Sequence, residues 1–137
     1  MSAPEEAISR VYETVLYASD VRATATFYAD VLGLRVLEEA DELAAVFRLP
    51  DGGVLLLFDP DRASQPGRRV PSHGTRGEGH VALSVAEGAL DALAARLRDG
   101  DVEIERDITW PLGGRSLYVR DPARNSVELI EGEAWLP

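Results

Sequence analysis

The sequence has 137 residues, of which 45% are hydrophobic. This is enough to form one hydrophobic core, but the chain is too short for two ordinary domains. It contains no cysteine, which excludes disulfides, zinc–thiolate sites and thiol catalysis and leaves His, Asp and Glu as metal ligands. The formal net charge of −10 disfavours nucleic acid and anionic membranes as partners. It tolerates a cationic ligand better, but we prefer the interpretation that the acidic surface only keeps the protein in solution.

The first half of the chain reads as a strand, a helix and three further strands. Residues 13–18 are β-branched and aromatic in character, and Asp20 behind them is a candidate helix N-cap. Apolar residues at helical spacing continue to Gly33, where a left-handed residue would end the helix. Three short strands are predicted after it, at residues 34–38, 43–49 and 53–58.

The second half repeats this order. A strand at residues 80–85 precedes a helix with an apolar stripe that Gly100 closes. Three more strands are predicted at residues 102–106, 115–120 and 126–131. The segment between the halves, residues 59–77, is rich in Pro, Gly and Arg and reads as a linker.

The two halves align with each other almost without gaps. Glu13 and His80 are separated by 67 positions, as are Gly33 and Gly100. The run Arg48-Leu49-Pro50 matches Arg120-Asp121-Pro122 at an offset of 72, which pairs Leu56 with Glu128. We therefore expect an internal duplication in one α+β domain over residues 1–137, with modules at about 10–58 and 78–131.

Strand alternation predicts which side chains share a face. In each of three strands the apolar set belongs towards the helices, which leaves Glu13, His80 and Glu128 on the opposite face. If the modules curve into one trough, these residues form a divalent-metal site with open positions for water and substrate. Each residue also has a plainer interpretation. Glu13 could be a solvated strand residue, His80 a hydrogen-bonded histidine of the sheet, and Glu128 an exposed carboxylate at a sheet edge.

Short motifs follow one another in a fixed order through both halves of the chain. They are Leu16-Tyr17, Asp20, Phe27-Tyr28, Val31-Leu32-Gly33-Leu34, Gly79-His80-Val81-Ala82-Leu83, Ser116-Leu117-Tyr118-Val119-Arg120-Asp121-Pro122 and Asn125-Ser126-Val127-Glu128-Leu129. Together they resemble the vicinal oxygen chelate superfamily, which includes glyoxalases, bleomycin-resistance proteins and extradiol dioxygenases. The resemblance covers about residues 10–131, and the order of the motifs makes it specific.

This resemblance implies two tandem βαβββ modules that form a curved mixed sheet around a metal-binding trough. It places the metal ligands at Glu13, His80 and Glu128. The sequence departs from the family pattern at the first ligand, which is usually His or Gln, at the fourth glyoxalase ligand, where 55–57 are leucines, and at Arg124, which replaces a glycine. The missing fourth ligand argues against a true glyoxalase and leaves a three-ligand pattern like that of fosfomycin-modifying enzymes or extradiol dioxygenases.

Other residues are candidates for substrate contact. Tyr17, Trp110 and Tyr118 could line the pocket, although large aromatics more often fill a core or an interface. Arg115 could pair with an anionic substrate or be a surface charge, and His73 is expected to be a loop residue.

The resemblance implies two alternative functions. The first is a divalent-metal-dependent enzyme (Fe, Mn, Zn, Ni or Mg) of lyase, isomerase or dioxygenase type, acting on a small oxygenated metabolite or antibiotic, with Glu13 or Glu128 as base. The second is a non-catalytic protein that sequesters a cationic drug. A homodimer is implied in both cases, in which Glu13 could meet His80 and Glu128 of a neighbouring chain.

The sequence also predicts where the protein is found. It has no apolar run of membrane-spanning length, and its first six residues lack the basic start of a secretory signal. We therefore expect a cytoplasmic protein without a membrane partner.

Overall fold

The computed structural model describes residue 2 and residues 4–137, and its strands form two four-stranded sheets. The first sheet has the order β1-β4-β3-β2 and the second the order β5-β8-β7-β6. In each sheet the first and last strands of a module are parallel neighbours, and the remaining pairs are antiparallel. The strands are β1 Glu13–Tyr17, β2 Arg35–Glu38, β3 Ala44–Arg48, β4 Val54–Phe58, β5 His80–Ser84, β6 Arg106–Thr109, β7 Arg115–Arg120 and β8 Ser126–Glu131.

The strand registers confirm the internal duplication. Glu13 pairs with Val54 in the first sheet, and His80 pairs with Ser126 at the corresponding place in the second. In the same way Leu56 lies opposite Val15, whereas Glu128 lies opposite Ala82. The predicted two-module α+β architecture is therefore the observed one.

The helix of module one begins at a capping side chain and ends at a left-handed glycine. Helix α1 (Val21–Thr26) is capped by Asp20, whose carboxylate accepts from the Ala23 N–H at 3.0 Å, and continues as a π-helical stretch, Phe27–Val31. Gly33 follows with φ +74°, the left-handed conformation predicted there.

The other two helices lie in the linker and in module two. Helix α2 (Pro60–Ala63) is a short turn in the linker, and α3 (Leu90–Asp99) is the helix of module two. After α3 the left-handed residue is Asp101, with φ +57°, and not Gly100.

The predicted strand at residues 102–106 is wrong by about four positions. The N–H of Val102 bonds the Leu97 carbonyl at 2.8 Å, and Val102 and Ile104 pack against the core. These residues therefore close the end of α3 onto the core instead of pairing with a strand. Strand β6 begins only at Arg106.

One hydrophobic core lies on the helix-facing sides of both sheets. The strands of the core direct alternate apolar side chains towards the helices, so that residues from both modules form one cluster with the helices. We call the opposite side of each sheet, which is turned away from this core, its outer face. The core residues contributed by the strands include Leu16, Ala45, Phe47, Leu55, Leu57, Leu117, Val119, Val127 and Leu129.

A buried carboxylate connects the two modules. Asp121, which is 2% exposed, accepts the Tyr28 hydroxyl at 2.7 Å and the Asn125 side-chain amide at 3.0 Å. The backbone N–H groups of Ala123 and Asn125 occupy its other oxygen. Burial, and then the neighbouring carboxylate, raises the pKa of Tyr28, so its hydroxyl remains a donor.

We expect Tyr28→Phe to lower the free energy of unfolding by about 1.5–3 kcal/mol, because it removes a buried hydrogen bond to a charged acceptor. Urea denaturation measures the change. The matched control is Tyr12→Phe, since Tyr12 is 69% exposed and should tolerate the loss of its hydroxyl. Equal stability of the two variants would contradict this role for the Tyr28 hydroxyl.

Candidate metal-binding site

His80 and Glu128 lie side by side on the outer face of module two. They are carried by the parallel neighbours β5 and β8, and Nε2 of His80 is 3.5 Å from Oε1 of Glu128. Glu128 is buried at 8% exposure, whereas about half of the His80 side chain is open to solvent. Two of the three predicted ligands are therefore brought together by the fold.

Glu13 is not part of this pair within one chain. It is the exposed first residue of β1 in the other sheet, where its partner is Val54. Over residue 2 and residues 4–137, no three His, Asp or Glu side chains are grouped closely enough to hold a metal ion. The convergence of all three residues in one chain, which the sequence predicted, is not formed, because the two sheets share a core on their helix sides and turn their outer faces away from it.

The Glu128 carboxylate is held by neighbours on β7. Ser116 Oγ donates to Oε2 at 2.6 Å, and the indole Nε1 of Trp110 donates to the same Ser116 oxygen at 2.7 Å. Tyr118 lies directly across from Glu128, and burial followed by the nearby carboxylate raises the pKa of its hydroxyl. The ring of Tyr118 is also nearly parallel to that of His80, with the centroids 6.3 Å apart.

His80 is oriented by the backbone of the adjacent strand. Its Nδ1 lies 3.0 Å from the carbonyl oxygen of Ser126, which can only accept a hydrogen bond. Nδ1 must therefore carry a proton, and in the neutral imidazole the lone pair is on Nε2, the atom that faces Glu128.

Of the four predicted substrate contacts, Tyr118 lies across from Glu128, and Trp110 is connected to Glu128 through Ser116. Arg115 lies elsewhere because side chains alternate along β7, which directs Arg115 to the helix side when Ser116 faces outward. There its guanidinium binds Asp107 through two hydrogen bonds and Asp91 through a third.

Tyr17 lies on the outer face of module one, where the linker covers it. Its hydroxyl is 2.6 Å from Nδ1 of His73, and the His73 ring stands edge-on to Phe58 with the centroids 4.8 Å apart. His73 is a loop residue, as predicted, but it packs against the sheet. The contact depends on how the linker folds back, which no local pattern in the sequence indicates.

The sequence interpretation also missed Ser116. A signal for it was present, because alternation along β7 places Ser116 on the same side as Tyr118 and therefore as Glu128. Arg124, which was singled out as a replacement for glycine, adopts φ +73° at the turn between β7 and β8. The glycine-like backbone conformation is thus retained by an arginine.

No helix in the described part of the chain has the length and apolar character that crossing a membrane requires.

Comparison with known proteins agrees with this architecture. The model of the Glyoxalase/Bleomycin resistance protein/Dioxygenase superfamily matches residues 10–129. No curated protein matches the sequence.

Solved structures resemble the chain over nearly its whole length. A lactoylglutathione lyase from Agrobacterium tumefaciens is 36% identical with a TM-score of 0.86, over 94% of this chain and 98% of that one. A glyoxalase/dioxygenase from Nostoc punctiforme is 22% identical with a TM-score of 0.74, over 97% of each chain. The oxidase ChaP-H2 is 24% identical with a TM-score of 0.70, over 92% of this chain and 95% of that one. The chain therefore belongs to the Glyoxalase/Bleomycin resistance protein/Dioxygenase superfamily.

Proposed function

We propose that this protein is a divalent-metal-dependent enzyme of lyase, isomerase or dioxygenase type that acts on a small oxygenated metabolite or antibiotic. The observation that carries the proposal is the juxtaposition of Nε2 of His80 and Oε1 of Glu128, which lie 3.5 Å apart. Cytoplasmic location and the absence of nucleic-acid and membrane partners remain predictions from the sequence.

The atoms of this pair that would not bind metal are already engaged by the protein. Nδ1 of His80 bonds a backbone carbonyl, and Oε2 of Glu128 bonds Ser116. Such outer hydrogen bonds orient metal ligands and select the imidazole tautomer that leaves Nε2 free. The residues present therefore fit one nitrogen and one oxygen ligand of a cation such as Fe(II), Mn, Zn, Ni or Mg.

When bound, the ion would supply Lewis-acid stabilisation of a developing oxyanion on the substrate. The chain's own residues have separate roles in this proposal. Tyr118, which lies across from Glu128, and Trp110, which bonds Ser116, would line the site and limit the access of water. A carboxylate of Glu13 or Glu128 that is not held by the metal would accept a proton from the substrate.

The missing oxygen ligand of module one limits the choice of reaction. Leu56 lies where Glu128 lies in module two, and its neighbours on that face, Val15 and Val46, are also apolar. The 36% identity with a lactoylglutathione lyase supports lyase chemistry, but the four-ligand pattern of a true glyoxalase is incomplete here.

We also propose that a second copy of the chain supplies the third ligand, Glu13. Strands β1 and β5 are both at the edge of their sheets and have one side without a strand partner among the described residues. In a two-fold dimer, contacts are reciprocal, so a β1 edge from each copy can approach the β5 edge of the other. Two equivalent sites would result, each with His80 and Glu128 from one copy and Glu13 from the other.

A second candidate function, a non-catalytic drug-binding protein, is supported by a cleft of about 1010 Å³ along β5. The cleft is lined mainly by apolar side chains, including Leu34, Leu83 and Val85, and has the size of a small-molecule site. Arg35, Arg48 and Asp51 also line it, and this balance of two cations to one anion suits an anionic ligand better than the cationic drug that the net charge suggested.

Metal analysis tests the enzyme proposal directly. Protein purified without chelator should contain a divalent ion, and Glu128→Ala should weaken binding of that ion at least about tenfold, because it removes a ligand. Elemental analysis and titration calorimetry measure this. Glu87→Ala, at an exposed position before α3, is the matched control and should bind like the wild type. No ion in the wild-type protein would instead favour the drug-binding function.

The orientation of His80 makes a separate prediction. At a pH where the imidazole is neutral, we expect the tautomer with the proton on Nδ1, because the Ser126 carbonyl needs a donor. Long-range ¹H–¹⁵N NMR of histidine-labelled protein distinguishes the two tautomers. The chain has only two histidines, so a His73→Gln variant assigns the signals. A proton on Nε2 would contradict the proposed metal ligand.

Subunit mixing tests whether the site is shared. Glu13→Ala and His80→Ala should each bind metal poorly, but in a mixed dimer one site carries both changes and the other carries none. Refolding the two variants together in equal amounts should therefore restore roughly a quarter of the sites. Metal content and solution mass are measured on the mixture and on each variant alone. Absence of any restoration, or a monomeric mass, would rule out the shared site.

A further inference from the structure

A chain of hydrogen bonds runs along the outer face of module two and ends at Glu128. It leads from the indole of Trp110 to the hydroxyl of Ser116, at 2.7 Å, and from there to Oε2 of Glu128, at 2.6 Å. Ser116 has no exposed surface, so solvent does not compete for its hydroxyl.

The direction of each bond follows from the chemistry of its groups. The indole N–H can only donate, so the Ser116 oxygen must accept from it. The single hydroxyl proton of Ser116 is then available for Glu128, whose Oε2 accepts it. Because the indole N–H occupies one lone pair of the Ser116 oxygen, the hydroxyl proton points away from Trp110 and towards Oε2 of Glu128.

The corresponding positions of module one show that the fold does not need this arrangement. Leu56 stands where Glu128 does, and Ala44, which occupies the register position of Ser116, has no hydroxyl. Module one forms the same four-stranded sheet without these polar groups. The hydrogen-bonded chain is therefore a feature of the site in module two and not a requirement of the sheet.

We propose that Ser116, oriented by Trp110, is the positioning residue of Glu128. By engaging Oε2, it holds the carboxylate so that Oε1 is presented towards His80 Nε2, 3.5 Å away. The proposal deepens the proposed metal function and rests on it. The alternative is that Ser116 only satisfies a buried carboxylate, and the two cases differ in how metal affinity responds to the loss of the hydroxyl.

The hydrogen-bonded chain can be tested first in metal-free protein. Trp110 and Trp135 are the only tryptophans, and Trp135 is 86% exposed, so Trp135→Phe leaves one indole signal in a ¹H–¹⁵N spectrum. In this background Ser116→Ala should shift the Trp110 N–H signal and speed its exchange with solvent, and Glu128→Gln should also shift it. Ser84→Ala, which removes an exposed hydroxyl from the same face, should leave it unchanged. A signal insensitive to both Ser116→Ala and Glu128→Gln would overturn the inference.

Metal affinity then tests the positioning role. With Ni²⁺ as the probe in titration calorimetry, Ser116→Ala should weaken binding by about 10- to 100-fold, the usual effect of losing an outer hydrogen bond to a ligand. Ser116→Thr retains the hydroxyl and should bind more tightly than the alanine variant, and Trp110→Phe should have a smaller effect than Ser116→Ala. Ser84→Ala is again the control.

The outcomes separate this inference from the proposed function. If Ser116→Ala binds Ni²⁺ within about twofold of the wild type, the positioning role is wrong while the metal function stands. If the wild-type protein binds no Ni²⁺, Mn²⁺ or Zn²⁺, the metal function fails, and the indole spectra by themselves decide whether the hydrogen-bonded chain exists.

Discussion

The packing of the two modules depends on the hydrogen bonds that the buried carboxylate of Asp121 accepts. Asp121 lies in the turn after β7 and receives four hydrogen bonds, one of them from Tyr28 of the other module. Asn125 extends the contact, since its amide also donates to the Tyr17 carbonyl and its oxygen accepts the Gly79 N–H. A buried charge is tolerated only when it is fully hydrogen-bonded, so these contacts specify how the two modules pack.

The two modules share a backbone plan but differ in the chemistry of their outer faces. Equivalent register positions carry Ala44 and Leu56 in module one, and Ser116 and Glu128 in module two. The outer face of module one is apolar around Leu56, and the outer face of module two carries the proposed ligands His80 and Glu128. Because β1–β4 and β3–β4 pair in the same register as β5–β8 and β7–β8, the difference at these positions lies in side chains that the sheet itself does not constrain.

The proposed site combines a rigid and an open part. Glu128 is buried and hydrogen-bonded, whereas His80 is half-exposed and is oriented mainly by a backbone carbonyl. A buried carboxylate beside an accessible imidazole leaves room on one side for a third ligand and for substrate. The exposed position of Glu13 at the edge of β1 is compatible with that ligand coming from a second copy of the chain.

The sequence by itself determined the duplication, the order of elements and the residues that share a face of each strand. These follow from periodicity, capping residues and the alignment of the two halves, all of which can be read from the sequence without knowing any tertiary contact. It also indicated His80 and Glu128, through strand alternation and the resemblance of the motifs around them. Only the tertiary structure decided that the sheets share a core on their helix sides, which separates Glu13 from that pair within one chain. It likewise decided that Val102 and Ile104 close α3 and that the carboxylates of Asp91 and Asp107 engage Arg115. Such outcomes depend on contacts between residues that are distant in sequence. Alternation along a strand predicts which face a side chain lies on, but it does not predict which residue that side chain contacts.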